Sequence, residues 1–306
     1  MSEKIITPDL VAIRPQVRGH RGRGIARSRS LLGVVPFFAY VTIFLIIPTL
    51  VVVIGAFAGD NGGVTLSNLS ALGQDYILEA FGRSILLSAV TAVIGAVLGA
   101  VLAYALVTAK PTGLLRRAVT AASGVLAQFG GVTLAFAFIA TIGLSGFVTV
   151  FLREDLGVDI YSGGVWLFEL PGLMLVYTYF QIPLMVIVFL PALDGIRPQW
   201  REAAESLGGT TWTYWTRVAG PLLLPSFLGS TLLLFANAFS AYATAAALVS
   251  QGNPIIPLQI RSALTSEVVL GQQNLGKAMA LGMVVVVAVV MTLYALLQRR
   301  TSRWLG

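Results

Sequence analysis

The chain has 306 residues, 57% of them hydrophobic and only 11% charged, where soluble domains carry roughly 25% charged. With a mean hydropathy of +0.86, this is the composition of an integral membrane protein. Its net charge of +7 sits on basic residues beside the apolar runs, so it reads as a topology signal and implies no nucleic-acid partner. The absence of cysteine excludes disulfides and thiolate metal sites, and the one histidine, His20 in a basic tail, leaves no histidine metal site or Ser–His pair within a membrane.

Residues 1–30 are polar and basic, with Lys4, Arg14, Arg18, Arg21, Arg23, Arg27 and Arg29 against Glu3 and Asp9; such a tail reads as topology-setting and largely disordered, with anionic-lipid or partner binding as the alternative. The apolar stretch at about 31–57 is too long for a cleavable signal core and is read as the first span, bent by Pro36 and Pro48. After a Gly/Asn/Asp-bearing loop, a second span at about 84–108 carries Gly95 and Gly99, a small-xxx-small face for close helix packing. A basic turn precedes the third span at about 118–143. An acidic loop at 145–170, with room for a short helix, precedes the fourth at about 171–193. The fifth covers about 222–249, a Gly/Pro/Asn/Gln-rich loop fills 250–277, and the sixth covers about 278–297. Each approaches the roughly 20 residues a helix needs to cross the hydrocarbon core. The expected fold is therefore all-α, six transmembrane helices over residues 31–297, flanked by tails at 1–30 and 298–306.

Six spans put both termini on one side, and charge decides which. Of the 20 Lys and Arg, 16 fall in the two tails, the 108–117 turn and the 196–221 segment, while Arg83, Arg153, Arg261 and Lys277 fall opposite. The positive-inside rule then predicts a cell-membrane protein with both termini and residues 196–221 in the cytoplasm.

That segment, an elbow between spans four and five, is polar where its surroundings are apolar. Trp200, Ala203, Ala204 and Leu207 recur at helical spacing, Pro198 suits the first turn, and Gly208-Gly209 supplies a stop. Thr210 or Thr211 can cap a second helix with Trp212, Trp215, Val218 and Leu222 on its apolar face. Glu202-Ala203-Ala204, three residues, Gly208, nine residues, Val218, one residue and Gly220-Pro221 resembles the EAA loop of binding-protein-dependent ABC importer permeases, E-A-A-x3-G-x9-I-x-L-P. Two positions depart from it: Val218 stands for Ile and Gly220 for Leu. The resemblance implies the type I importer permease fold and a coupling helix, with Trp200, Glu202, Ala203, Ala204, Leu207 and Gly208 against a cytoplasmic ATPase subunit. By the family spacing Gly208 is the constrained glycine, and Gly209 is expected to tolerate change better. The implied partners are an ATPase dimer, a second permease chain, identical or homologous, and an extracytoplasmic solute-binding protein. This chain would hold no cofactor and do no chemistry, with ATP and Mg bound by the ATPase.

Inside the spans, Gln128, Tyr177, Gln181, Asn237, Ser240 and Tyr242 are polar, and each costs free energy in hydrocarbon. They have two readings, lining of a translocation route and hydrogen bonding between helices. No ionisable residue other than tyrosine lies near a span midpoint, which weighs against the rival reading, a proton- or ion-coupled carrier. The near-match to a phosphate-binding loop at Gly271–Ala278 ends in Ala278, where Mg²⁺ would need a hydroxyl. The run at 238–245, then Gly252-Asn253-Pro254 and Ile256–Ile260, looks like permeases of the spermidine/putrescine group. A polyamine-like solute is thus favoured, with the phosphonate, iron and thiamine relatives of that group as alternatives.

Overall fold

The computed structural model describes residues 34–59, 62–109, 113–249, 255–265 and 273–302. The basic tail at 1–30, Gly252–Pro254 and the first two residues of the near-match at Gly271–Ala278 lie outside the described residues; the rest of that near-match is helical. The chain divides into two compact units, Met1–Val51 and Val52–Gly306.

The first unit holds most of helix α1 (Val34–Ala56). Between Thr42 and Ile46 the helix widens into a π turn, closed by the Ile47 N–H donating to the Thr42 carbonyl. Pro48 supplies the reason: it has no N–H to give and its ring presses on the carbonyl four residues back. Thr49 Oγ1 donates to the neighbouring Leu45 carbonyl at 2.7 Å.

The second unit is built around three long helices, α2 (Asp75–Thr108), α6 (Leu170–Asp194) and α8 (Thr211–Ser240). Between α2 and α6 in sequence come α3 (Leu114–Gln128), α4 (Gly131–Ile142) and α5 (Phe147–Asp155), the last within the expected acidic loop. The principal contact is α2 against α6, and Gly95 and Gly99 make it possible. A β-carbon on Gly95 would stand 2.5 Å from Gln181 Cβ, and one on Gly99 2.5 Å from Met185 Cβ. Glycine therefore lets the backbones approach closely, as small residues do in membranes. Ala92, Ala96, Met185, Val186, Leu234 and Phe239 fill the shared core with α8. By length and composition six helical stretches can cross a membrane. The third of these is Gly131–Asp155 rather than the expected 118–143, yet it is α3, with α4 following it, that packs along α6.

Two expected spans are interrupted. The third breaks at Phe129–Gly130 between α3 and α4, and the fifth at Ala241–Tyr242 between α8 and α9 (Ala243–Leu248). The two breaks support each other, because backbone groups freed at membrane depth need protein partners. The Gly131 N–H donates to Thr244 Oγ1 at 2.9 Å, and the Tyr177 hydroxyl donates to the Ala241 carbonyl at 2.7 Å. Part of the expected 250–277 loop is helical as well: α10 (Ile256–Thr265) precedes α11 (Gln273–Ser302). It is anchored by the Ile256 N–H donating to Ser84 Oγ at 2.9 Å and by buried Ile256, Pro257 and Ala263.

Candidate functional site: the elbow and the polar face

The elbow opens with α7 (Pro198–Ser206), entered through extended Arg197 with Pro198 in the first turn. At its end the Gly208 N–H donates to the Glu205 carbonyl at 2.9 Å and the Gly209 N–H to the Ala204 carbonyl at 2.8 Å. That pair of bonds is a Schellman closure, which needs its first glycine left-handed, and Gly208 has φ +77°. Gly209 is constrained too, contrary to the expected tolerance. A β-carbon there would lie 2.7 Å from the Ala204 carbonyl oxygen, the acceptor its own N–H must reach. Thr210 is the cap of α8, accepting from the Thr213 N–H at 3.3 Å.

Within α8 a π turn at Trp215–Ala219 shifts the helical register. The expected single face of Trp212, Trp215, Val218 and Leu222 is consequently split. Trp212 is 77% exposed, Trp215 meets Tyr104 of α2 edge-on with centroids 5.3 Å apart, and Val218 and Leu222 face α7. The same turn accounts for Gly220. Its N–H donates to the Trp215 carbonyl, whose oxygen would lie 2.5 Å from any β-carbon. A leucine at this position would have to displace the widened turn.

Trp200, Ala203, Ala204 and Leu207 share one face, as their spacing predicts, and with Val218 and Leu222 they line an open apolar groove of about 620 Å³. Leu207 is 89% exposed. On the polar side, Arg201 Nε donates to Glu205 Oε1 at 2.9 Å, a hydrogen bond that raises the already high Arg201 pKa. Glu202 is exposed and has no ion pair among the described residues. Beneath the elbow, Arg116 of α3 clamps Asp194 at the end of α6, with Nη2 at 2.7 Å from Oδ1. Opposite charges at the ends of facing spans could have suggested that pair in advance. Nothing in the sequence singled out Ser84.

The six polar span residues separate into two groups. Tyr177 and Gln181 are fully buried in the helix contacts, and Gln181 Nε2 donates to the Leu234 carbonyl at 2.8 Å. Their geometry is that of bonds between helices. Gln181 Oε1 has no donor among the described residues. Asn237 and Ser240 are instead exposed on one face of α8, Gln128 is exposed at the end of α3, and Tyr242 is half-buried in the α8–α9 break. The Ser240 hydroxyl is spent on the Ala236 carbonyl at 2.9 Å, while the Asn237 amide and the Tyr242 hydroxyl make no hydrogen bond among the described residues.

Residues 129–303 match the family model of the binding-protein-dependent transport system inner membrane component. The chain is 26% identical over 205 residues to the ferric transport system permease protein FbpB of Actinobacillus pleuropneumoniae, covering 65% of this chain and 28% of that one. It therefore spans less than a third of that relative's length. It is 24% identical over 288 residues to the sulfate transport system permease protein CysW of Synechococcus elongatus, covering 92% and 94% of the two chains. In fold it is similar to a chain of the bacterial ABC transporter for the acidic polysaccharide alginate, with a TM-score of 0.73 at 19% identity over 90% of this chain and 97% of that one. With the family model matched over more than half its length, including the elbow, this chain belongs to the binding-protein-dependent transport system inner membrane components.

Proposed function

We propose that this chain is the membrane-spanning permease subunit of an ATP-driven importer and that the elbow receives the force of ATP hydrolysis. The observation that carries the reading is the elbow itself. A short helix closed by a Schellman turn presents exposed Leu207 and a Glu202 with no ion pair among the described residues, and the start of α8 adds exposed Trp212. Its apolar groove and its contact through Trp215 with Tyr104 link it to α8 and α2. Exposed apolar side chains beside a fixed turn make a docking surface, and Glu202 can form a charge-assisted contact with a basic groove of an ATPase subunit.

A second permease chain, identical or homologous, would cover the exposed polar face of Gln128, Asn237 and Ser240, which hydrocarbon would not accept. An extracytoplasmic binding protein would deliver solute at the end of the bundle away from the elbow. The lysine and arginine distribution supports a cytoplasmic elbow and cytoplasmic termini. The ferric and sulfate relatives favour a small inorganic solute and give the polyamine expectation no support. Purification of the chain should bring down the ATPase subunit, with ATP hydrolysis in the complex stimulated by loaded binding protein. A chain that captures no ATPase subunit refutes the reading.

A further inference from the structure

We propose that Arg261 of α10, held over the Tyr242 ring, is the specificity-determining cation of the route, and that the transported solute is an oxyanion. The inference rests on the importer reading and names its substrate class. The Arg261 guanidinium carbon lies 5.7 Å from the centroid of the Tyr242 ring, which itself sits in the α8–α9 break. Both residues are firmly carried. The Tyr177 hydroxyl holds the Ala241 carbonyl beside Tyr242, and α10 is pinned to α2 through Ile256 and Ser84. Tyr104, which touches the elbow, is twenty positions from Ser84 on α2, so the Ser84–Ile256 anchor of α10 lies about 30 Å along that helix from the elbow contact, toward the opposite end of the bundle.

The donors here are unspent. Arg261 is exposed and forms no ion pair among the described residues, and the Asn237 amide and Tyr242 hydroxyl are likewise unbonded. Gln128, Asn237, Ser240 and Tyr242 are neutral, so with Arg261 these five side chains carry one charge, and it is positive. A polyamine or a metal cation would meet repulsion from Arg261 with no acidic side chain in this set to offset it. A tetrahedral oxyanion would find a planar fork suited to two oxygens at once, and stacking on Tyr242 fixes the plane of that fork.

Two measurements test this. In the first, the purified full-length chain is melted in millimolar sulfate, molybdate or phosphate against chloride at equal ionic strength. Wild type should be stabilised by at least one of the three and Arg261→Gln by none. In the second, the complex with its own ATPase subunit and saturating binding protein is reconstituted, and solute moved per ATP is measured for those anions, ferric iron and putrescine. Wild type should move an oxyanion. Arg261→Gln should move about tenfold less per ATP, as loss of a charge-assisted pair implies, with basal hydrolysis and ATPase capture unchanged; Arg261→Lys should fall between. Should Arg261→Gln fail to assemble, Arg261→Lys decides: reduced anion transport at normal basal hydrolysis supports the proposal and wild-type transport overturns it. Transport of iron or putrescine alone also overturns it. So does stabilisation by added anionic phospholipid but by no inorganic anion, which would assign Arg261 to the lipid surface. Failure of ATPase capture strikes the importer reading instead, leaving the melting experiment to decide on the anion.

Discussion

Replacing both glycines of the elbow, Gly208→Ala with Gly209→Ala, should uncouple the chain without unfolding it. At Gly208 the strain comes from φ +77°, where a β-carbon costs roughly 1–2 kcal/mol. At Gly209 it is the 2.7 Å approach of the new carbon to the Ala204 oxygen, which also forces apart a bond contributing about 0.5–1.5 kcal/mol net. Together the substitutions disfavour the closed turn by about 2–3 kcal/mol, and each 1.4 kcal/mol is a factor of ten in population. Helix α7 has nine residues, too few to persist alone, and its Arg201–Glu205 pair is exposed and screened by solvent, so it adds little. Amide exchange over residues 201–206 should therefore rise steeply, while membrane insertion and the protection of α2 and α6 stay at wild-type levels. ATP hydrolysis stimulated by loaded binding protein, and capture of the ATPase subunit, should both be lost. Glu202→Lys makes a separate arm, removing capture without raising exchange, because Glu202 is exposed and makes no ion pair among the described residues. Full stimulation in the double-alanine variant, with exchange demonstrably raised, would refute the claim that a fixed turn transmits force.

Four further outcomes follow from the same geometry. Arg116→Ala should lower thermal stability by no more than about 1 kcal/mol, since the Asp194 side chain is 42% exposed and solvent screens the pair; the exchange of Arg116 for Asp and Asp194 for Arg should restore it in the same melting assay. Gln181→Leu should change stability by no more than about 1 kcal/mol, because losing the bond to Leu234 is offset by removing an unpaired buried oxygen; a loss of several kcal/mol would mean that Oε1 has a partner. Asn237→Leu should reduce transport in proteoliposomes and leave complex assembly and basal hydrolysis largely intact, whereas dissociation of the complex would make Asn237 an interhelical contact. Probes at Met1, Gly209 and Gly306 should be shielded from an impermeant reagent in intact cells and a probe at Asp155 labelled, and labelling of Gly209 from outside would reverse the proposed orientation.

What the sequence made legible was local in the chain. Six apolar stretches, the helical spacing of Trp200, Ala203, Ala204 and Leu207, and a glycine stop all follow from neighbours within a few positions, and all are present in the structure. The helix breaks were not legible, because Phe129–Gly130 and Ala241–Tyr242 depend on groups far away in sequence. Thr244 serves Gly131, 113 positions distant, and Tyr177 serves Ala241, 64 positions distant. A hydropathy window averages over the few polar residues at each break, Gln128 at one and Asn237, Ser240 and Tyr242 at the other. The elbow was misread at Trp212 and Trp215 for a related reason. A π turn changes the period partway through a helix, and the sequence marks it only by Gly220, whose meaning depends on where the Trp215 carbonyl points.

The polar residues show the same division from the other side. Their cost in hydrocarbon was evident from composition, but which of the two readings each one follows turns on the packing of α6 against α8. Residues 177 and 181 are four apart on α6 and share its buried face, where both meet carbonyls of the α8 segment. Residues 237 and 240 lie three apart on α8 and face away from that contact. A helix therefore divides its polar groups between cohesion and an exposed surface by rotation about its axis. Glycines at 95 and 99 contribute to that division, because they set how closely α2 approaches α6. Enlarging either should loosen the packing around Gln181 before it alters the exposed amide of Asn237.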